Sequence, residues 1–201
     1  RVLFRSALAP HLHVPLQSGS DPVLRRMRRW HSREQYRTRV LEIAGRVSPL
    51  GLGADVIAGF PGETPEDQGA TRELIEELPF TYLHVFPWSP RSGTHAATLA
   101  DRVEVGTAAA RARELREIGV RKGTAYATTR IGGAALVSVE TPDSGLTGDY
   151  LRVRLRGADA VPGTLGRFRL AGTATDLKAG TGATGRAALP VLEATAPGSD
   201  S

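Results

Sequence analysis

Cysteine is absent from the 201 residues, which excludes disulfides, thiolate zinc sites, a cysteine nucleophile and any cysteine-held iron–sulfur cluster ligated within this chain. Methionine occurs once, as Met27, and not at the first position, so the chain reads as part of a longer protein. No apolar run approaches the roughly 18–20 residues that a membrane-spanning helix needs, and a membrane protein is not expected. The opening RVLFRSALAP has neither a basic-then-apolar leader nor a small-residue cleavage site, so no signal peptide is expected. Lysine is nearly missing, with 2 against 24 arginines, and aromatic residues make up only 5%. With 40% apolar and 23% charged residues, a packed globular core is expected.

The net charge of +5 is unevenly spread. Residues 1–46 carry ten arginines against three acids, residues 47–110 three against nine, and residues 111–201 thirteen basic residues against nine acids. Basic ends around an acidic middle suit a polyanionic partner.

The first hundred residues alternate strand-like and helix-like segments. Residues 11–16 (HLHVPL) read as a strand. Asp21 and Pro22 open a short helix over 22–29. Ser32 and Gln35 form a capping-box signature for a helix reaching about residue 47. Residues 54–60 (ADVIAGF) read as a buried strand. Thr64 caps a further helix that starts at Pro65, with Leu74, Ile75 and Leu78 facing inward. Residues 81–86 (TYLHVF) read as a third strand, and this β-α-β-α-β order predicts a parallel sheet. After a loop rich in proline and glycine, 103–122 reads as a long helix ended by Gly123. Residues 134–140, 149–155 and 165–170 then read as short strands of a small antiparallel barrel. The expected fold class is α/β, with residues 1–122 as one unit and 123–176 as a β domain. Residues 177–201 are expected to be a flexible tail.

Four loop motifs fall at the predicted carboxyl ends of the strands, where α/β folds place ligands. They are QSGSD with Gln17, Ser18 and Ser20; LRRMRRW, in which four arginines surround Met27; GFPGET, whose Gly59 and Gly62 permit close backbone approach; and FPWSPRSGT with Trp88 and Arg91. Each also has a plain structural reading as a turn or a solvated basic face. His11, His13 and His84 have no carboxylate or cysteine at metal-ligand spacing, so no metal site is expected. In LRVRLR, alternation puts Arg152, Arg154 and Arg156 on one strand face, where they can meet phosphates, with Tyr150 as a stacking candidate.

Taken in order, HLHVPLQSGSDPVLRRMRR, DVIAGFPGETPED and HVFPWSPRSGTHAA resemble the radical S-adenosylmethionine methylthiotransferases over about residues 9–120. The β-rich segment that follows resembles their TRAM domain. The family inserts a methylthio group into tRNA adenosine beside the anticodon or into a ribosomal protein. QSGS with SPR-x-GT resembles the tRNA branches, and His84-Val85-Phe86-Pro87 resembles the branch acting on N6-threonylcarbamoyladenosine at position 37. The sister branch acts on N6-isopentenyladenosine.

The resemblance implies the C-terminal part of a radical-SAM (β/α) barrel followed by the TRAM β-barrel, in a cytoplasmic enzyme whose partner is the tRNA anticodon stem-loop. It implies S-adenosylmethionine and two [4Fe–4S] clusters whose ligands lie upstream of this chain. One cluster would generate a 5′-deoxyadenosyl radical and the other would deliver sulfur. This chain alone would then be inactive, with no catalytic residue of its own. Carried over by position, Gln17 and Ser18 face the ribose and methionine part of the cofactor, and Arg29 pairs with its carboxylate. Ile57 and Gly59 offer an apolar face and backbone to its adenine, and Phe86 and Ser89 border the same pocket. Trp88 stands where tyrosine is usual, Gln68 where phenylalanine is, and His31 and His95 also depart from the pattern. A cluster-less RNA-binding protein and an unrelated parallel α/β enzyme are the competing readings.

Overall fold

The computed structural model describes residues 9–156, 160–172 and 191–196. The first part is a three-stranded parallel sheet of order β1-β2-β3, built from β1 (His11–His13), β2 (Gly51–Ala58) and β3 (Tyr82–Pro87). Helices α1 (Asp21–Arg26), α2 (Arg33–Ala44) and α3 (Pro65–Glu77) connect the strands. A short 3-10 turn (His95–Thr98) precedes α4 (Val105–Arg130). Among the described residues, no helix is long and apolar enough to cross a membrane.

Side-chain caps set the helix starts. Ser32 and Gln35 close a capping box on α2, and Thr64 and Asp67 close another on α3, where Pro65 occupies the first turn. Ser20, and not the expected Asp21, caps α1. Asp21 lies inside the helix and instead accepts from the Arg33 N–H at 2.6 Å, so it ties the entry of α2 to α1. On β2, Leu52, Ala54, Val56 and Ala58 point into one core with Leu74, Ile75, Leu78, Val85 and Leu115. The alternate residues Gly51, Gly53, Asp55 and Ile57 line the opposite, concave face.

Gln68 is buried between α3 and α4. Its Nε2 donates to Glu114 Oε2 at 3.1 Å, but its Oε1 has no hydrogen-bond partner among the described residues.

Gly123 does not end α4, which continues for two further turns to Arg130. Burial outweighs the local glycine signal there. Ala127 enters the second core, while the Tyr126 hydroxyl and Arg130 Nε reach Asp149 Oδ2 at 2.6 and 2.7 Å. One helix thus belongs to both parts, and the expected boundary at 122/123 falls inside it.

The second part is a closed barrel of order β4-β5-β6-β8-β7, made of β4 (Ala134–Thr141), β5 (Ser144–Thr147), β6 (Arg152–Arg156), β7 (Leu165–Ala171) and β8 (Val191–Thr195). Three expectations change here. β5 is an additional strand, and β6 pairs with β8 in parallel, so the barrel is not purely antiparallel. Val191–Thr195, expected within a flexible tail, is the strand that closes the barrel, with Leu192 and Ala194 in its core. The remaining tail positions, 177–190 and 197–201, lie outside the described residues. Closure is the physical reason: without β8, β6 and β7 would both keep open edges.

Asp149 is 3% exposed, and burial alone would raise its pKa. Hydrogen bonds from Tyr126 and Thr147 and the Arg130 charge outweigh that, leaving the carboxyl below its ordinary range. A depressed folded value means its stabilisation is complete above about pH 4 and is lost as pH falls through that folded value. Unfolding measured against pH should therefore show a loss of stability below about pH 4 that Asp149→Asn reduces. Asp149→Ala, which strands the buried Arg130 charge, should cost about 3 kcal/mol in denaturant melts at pH 7. Replacing Gln68 by Met removes its orphaned oxygen and should raise stability by about 1 kcal/mol in the same assay.

Candidate functional site

Because the three strands run parallel, their carboxyl ends and following loops share one edge. Gln17 sits there with φ of 67°, a left-handed conformation that side chains rarely adopt. Its N–H donates to the Asp55 carbonyl at 2.8 Å, and its own carbonyl accepts from Ile57 N–H at 2.9 Å. The strained residue is thus sewn into β2 by its backbone. Its Oε1 accepts from Arg29 Nη2 at 3.2 Å, which brings the two predicted residues together.

Ser18 is fully buried, and its hydroxyl is bound internally to Thr71 Oγ1 at 3.2 Å and to the Ser20 N–H at 3.2 Å. That places it as a loop-shaping residue that anchors the first loop to Thr71 of α3. Ile57 is the register neighbour of Phe86, so the two form adjacent apolar positions at the edge. Phe86 and Ser89 are exposed. Gly59 has φ of 74°, and a Cβ there would strike Ala108 of α4.

Glu63 fixes this second loop. Its Oε1 accepts from Gly59 N–H at 2.9 Å and from Arg111 Nη1 at 2.7 Å. Burial pushes the Glu63 carboxyl up, while those two donors partly offset the shift. Arg26 donates to the Gly62 carbonyl and links the first loop to the second. The LRRMRRW run is therefore divided: Arg26 and Arg29 tie loops, while Arg28 and Trp30, the latter 92% exposed, stand open. An open groove of about 890 Å³ runs from Val14 and Pro15 past Arg29 and Trp30 to Tyr36 and Arg39.

The concave face holds a polar cluster that sequence spacing concealed. Asp55 Oδ1 lies 3.1 Å from His13 Nε2 and 3.2 Å from His84 Nδ1. His13 Nδ1 and His11 Nε2 meet the Tyr82 hydroxyl at 3.0 and 2.8 Å. Burial, helped by neighbouring His13, lowers the His11 pKa. No carboxylate stands near these histidines in sequence, yet the β1/β2/β3 register delivers one. The available signal was a polar Asp55 at an alternating position within an otherwise apolar strand.

On the barrel, Arg152, Arg154 and Arg156 point outward as alternation predicts, with Leu151, Val153 and Leu155 buried. Arg152 pairs with Glu140 at 3.3 Å and Arg156 with Glu193 at 3.1 Å. Arg154 has no ion-pair partner among the described residues. The exposed Arg167 and Arg169 on β7 extend the basic surface and escaped the sequence reading, although RFR alternates like LRVRLR. Tyr150, the expected stacking residue, is turned toward the sheet. Its ring stacks on His11 with centroids 4.1 Å apart and lies 5.2 Å from Tyr82, joining barrel to sheet.

A parallel sheet with strained and glycine-bearing loops at one edge is thus joined to a small closed barrel that carries arginines on its outer face. No family model matches the chain. It is 36% identical over 77% of its length to a tRNA-2-methylthio-N(6)-dimethylallyladenosine synthase of Desulfitobacterium hafniense. It is 34% identical over 84% of its length to threonylcarbamoyladenosine tRNA methylthiotransferase MtaB of Bacillus subtilis, and 41% over 66% to a synthase of the first type from Methylococcus capsulatus. It covers 34%, 40% and 29% of those three proteins, so the chain spans about a third of the length of the curated relatives it matches. The chain is a homologue of the tRNA methylthiotransferases.

Replacing Arg111 by Gln would leave Glu63 buried without its cation. This should cost about 3 kcal/mol, read as a lower denaturation midpoint, and loosen the Gly59–Glu63 loop.

Proposed function

We propose that the chain is the C-terminal part of a radical-SAM tRNA methylthiotransferase that places a methylthio group on C2 of N6-threonylcarbamoyladenosine at tRNA position 37. The observation that carries the reading is the convergence of the QSGS, GFPGE and FPWSPR loops on one edge of a parallel sheet in a homologue of tRNA methylthiotransferases. Support for the branch comes from His84-Val85-Phe86-Pro87: His84 meets Asp55, and Phe86 lies beside Ile57 on the concave face. Residues typical of that branch therefore line the space that a ligand would enter.

The residues at the edge fit S-adenosylmethionine. Arg29 is exposed and already hydrogen-bonded to Gln17, so its remaining guanidinium N–H groups suit a carboxylate. Ile57 and Phe86 offer an apolar wall to a flat base, with Ser89 at the rim and the Gly59 turn, its N–H held by Glu63, shaping the loop beside them. When bound, S-adenosylmethionine supplies the methyl group and the radical chemistry. The protein's own contribution is to orient the methionine end through Arg29 and Gln17 and to hold the Gly59 loop rigid through Glu63 and Arg111. The chain has no thiolate to offer an iron–sulfur cluster, so any cluster of the whole enzyme is ligated outside these residues. The arginines of β6 would grip phosphates of the anticodon stem-loop, in the cytoplasm where tRNA is modified.

Disrupting the gene should remove the 2-methylthio form of N6-threonylcarbamoyladenosine from tRNA hydrolysates, with the dimethylallyl derivative unchanged, as read by nucleoside mass spectrometry. Loss of the 2-methylthio dimethylallyl derivative instead would assign the sister branch, which the 36% and 41% identical relatives favour. No nucleoside change together with retained RNA binding would leave a non-catalytic RNA-binding protein. In the whole enzyme, Arg29→Ala should weaken S-adenosylmethionine binding tenfold or more, by roughly 1.5–3 kcal/mol. Arg154→Glu should weaken tRNA binding and lower its salt dependence by about one phosphate contact.

A further inference from the structure

We propose that His13, Asp55 and His84 form a binding site for a divalent transition-metal ion of the zinc or ferrous class. The three ligand atoms, His13 Nε2, Asp55 Oδ1 and His84 Nδ1, all lie within 4.8 Å of one another. The carboxylate oxygen is 3.1 Å from one ring nitrogen and 3.2 Å from the other. An ion bound at about 2.0–2.2 Å from N and O ligands in tetrahedral geometry separates them by roughly 3.3 Å. The cluster therefore needs little rearrangement to close on an ion.

The scaffold favours the same conclusion. Each ligand comes from a different strand of one sheet, with Asp55 directly opposite His84 and His13 opposite Gly53, two residues earlier on β2. Sheet hydrogen bonds thus hold all three backbones, so ordering the site costs little on binding. Gly53 has no side chain, which admits the Tyr82 ring beside it. The Tyr82 hydroxyl then serves as outer partner: His13 Nδ1 lies 3.0 Å away and His11 Nε2 2.8 Å away. If His13 Nδ1–H donates to Tyr82 and the Tyr82 hydroxyl donates to His11 Nε2, the lone pair of His13 Nε2 is free for a metal. That second partner is what metal-ligating histidines ordinarily have.

The donor set selects the ion. Two imidazoles and one carboxylate suit Zn²⁺ or Fe²⁺, whereas Mg²⁺ and Ca²⁺ require mostly oxygen. The Asp55 side chain keeps 32% of its surface in solvent, so water can complete the coordination sphere.

Co²⁺ is the probe, added to the purified 201-residue chain and read by its visible d–d absorption, with Zn²⁺ as competitor. The expected result is one Co²⁺ per chain, displaced by Zn²⁺. Asp55→Asn, of nearly equal shape, and His84→Gln should each weaken binding at least tenfold. Tyr82→Phe, which leaves all three ligands in place, should weaken it about tenfold through its outer contact. His95→Gln, in the exposed 3-10 turn, should change nothing. Circular dichroism of each variant separates lost folding from a lost ligand. Absence of a saturable cobalt band, or a band that survives both Asp55→Asn and His84→Gln in folded variants, would overturn the site.

Discussion

Asp149 is the constraint on which the two halves of this structure depend. It accepts from Tyr126 and Arg130 on the last turns of α4, and its neighbour Tyr150 lies flat on His11 of β1. A Cβ at Gly51 would strike the Asp149 carbonyl, so barrel and sheet meet backbone to backbone at that point. Burying a charge so deeply is tolerable only because a cation and two hydroxyl groups surround it. The carboxylate therefore specifies one docking geometry, which an apolar contact of the same size would leave freer. Burial and the adjacent carboxylate also push the Tyr126 hydroxyl well above its ordinary range, so it stays a proton donor at any working pH.

That docking shapes the concave face. Tyr150 covers His11, His11 meets Tyr82, and Tyr82 meets His13, so a chain of contacts runs from the barrel into the middle of the sheet. Gly51 and Gly53 are required at these positions because one faces the barrel backbone and the other the Tyr82 ring. The amino end of the sheet is closed by aromatic and imidazole rings, and its carboxyl end is left to the loops. At the carboxyl end of this face Ile57 and the exposed Phe86 stand side by side in register.

Much of this was legible locally, and its limits have physical causes. The capping box at Ser32, the cap at Thr64 and a buried strand around 54–60 depend on near neighbours in sequence, and the structure bears them out, with the strand at Gly51–Ala58. So does the outward alternation of Arg152, Arg154 and Arg156. The end of α4 was misjudged because Gly123 is a local stop signal, whereas Tyr126, Ala127 and Arg130 are held by tertiary contacts. Val191–Thr195 reads as tail because it is a short strand-like stretch inside a long segment rich in glycine, alanine and small polar residues. Its partners, β6 and β7, lie 20 or more residues away in sequence, and closing the barrel stabilises it. At the site, Gln17 and Arg29 share a hydrogen bond as positions 12 residues apart. By contrast, His13, Asp55 and His84 are separated by 42 and 29 residues, and only the strand register brings them together.

The same register bears on how substrate choice and chemistry are divided. On β3, Tyr82, His84 and Phe86 point to the concave face while Leu83 and Val85 enter the helix-covered core. A change at 84 or 86 can alter the concave surface without touching the core beneath it. Asp55 and Ile57 occupy the matching positions on β2. Gly59 and Glu63, by contrast, are packed against Ala108 and Arg111 of α4, and substitution there disturbs the core contact as well as the loop. The exposed face of β3 is thus free to vary, while the shape of the loop edge is tied to α4, the helix that also carries the barrel.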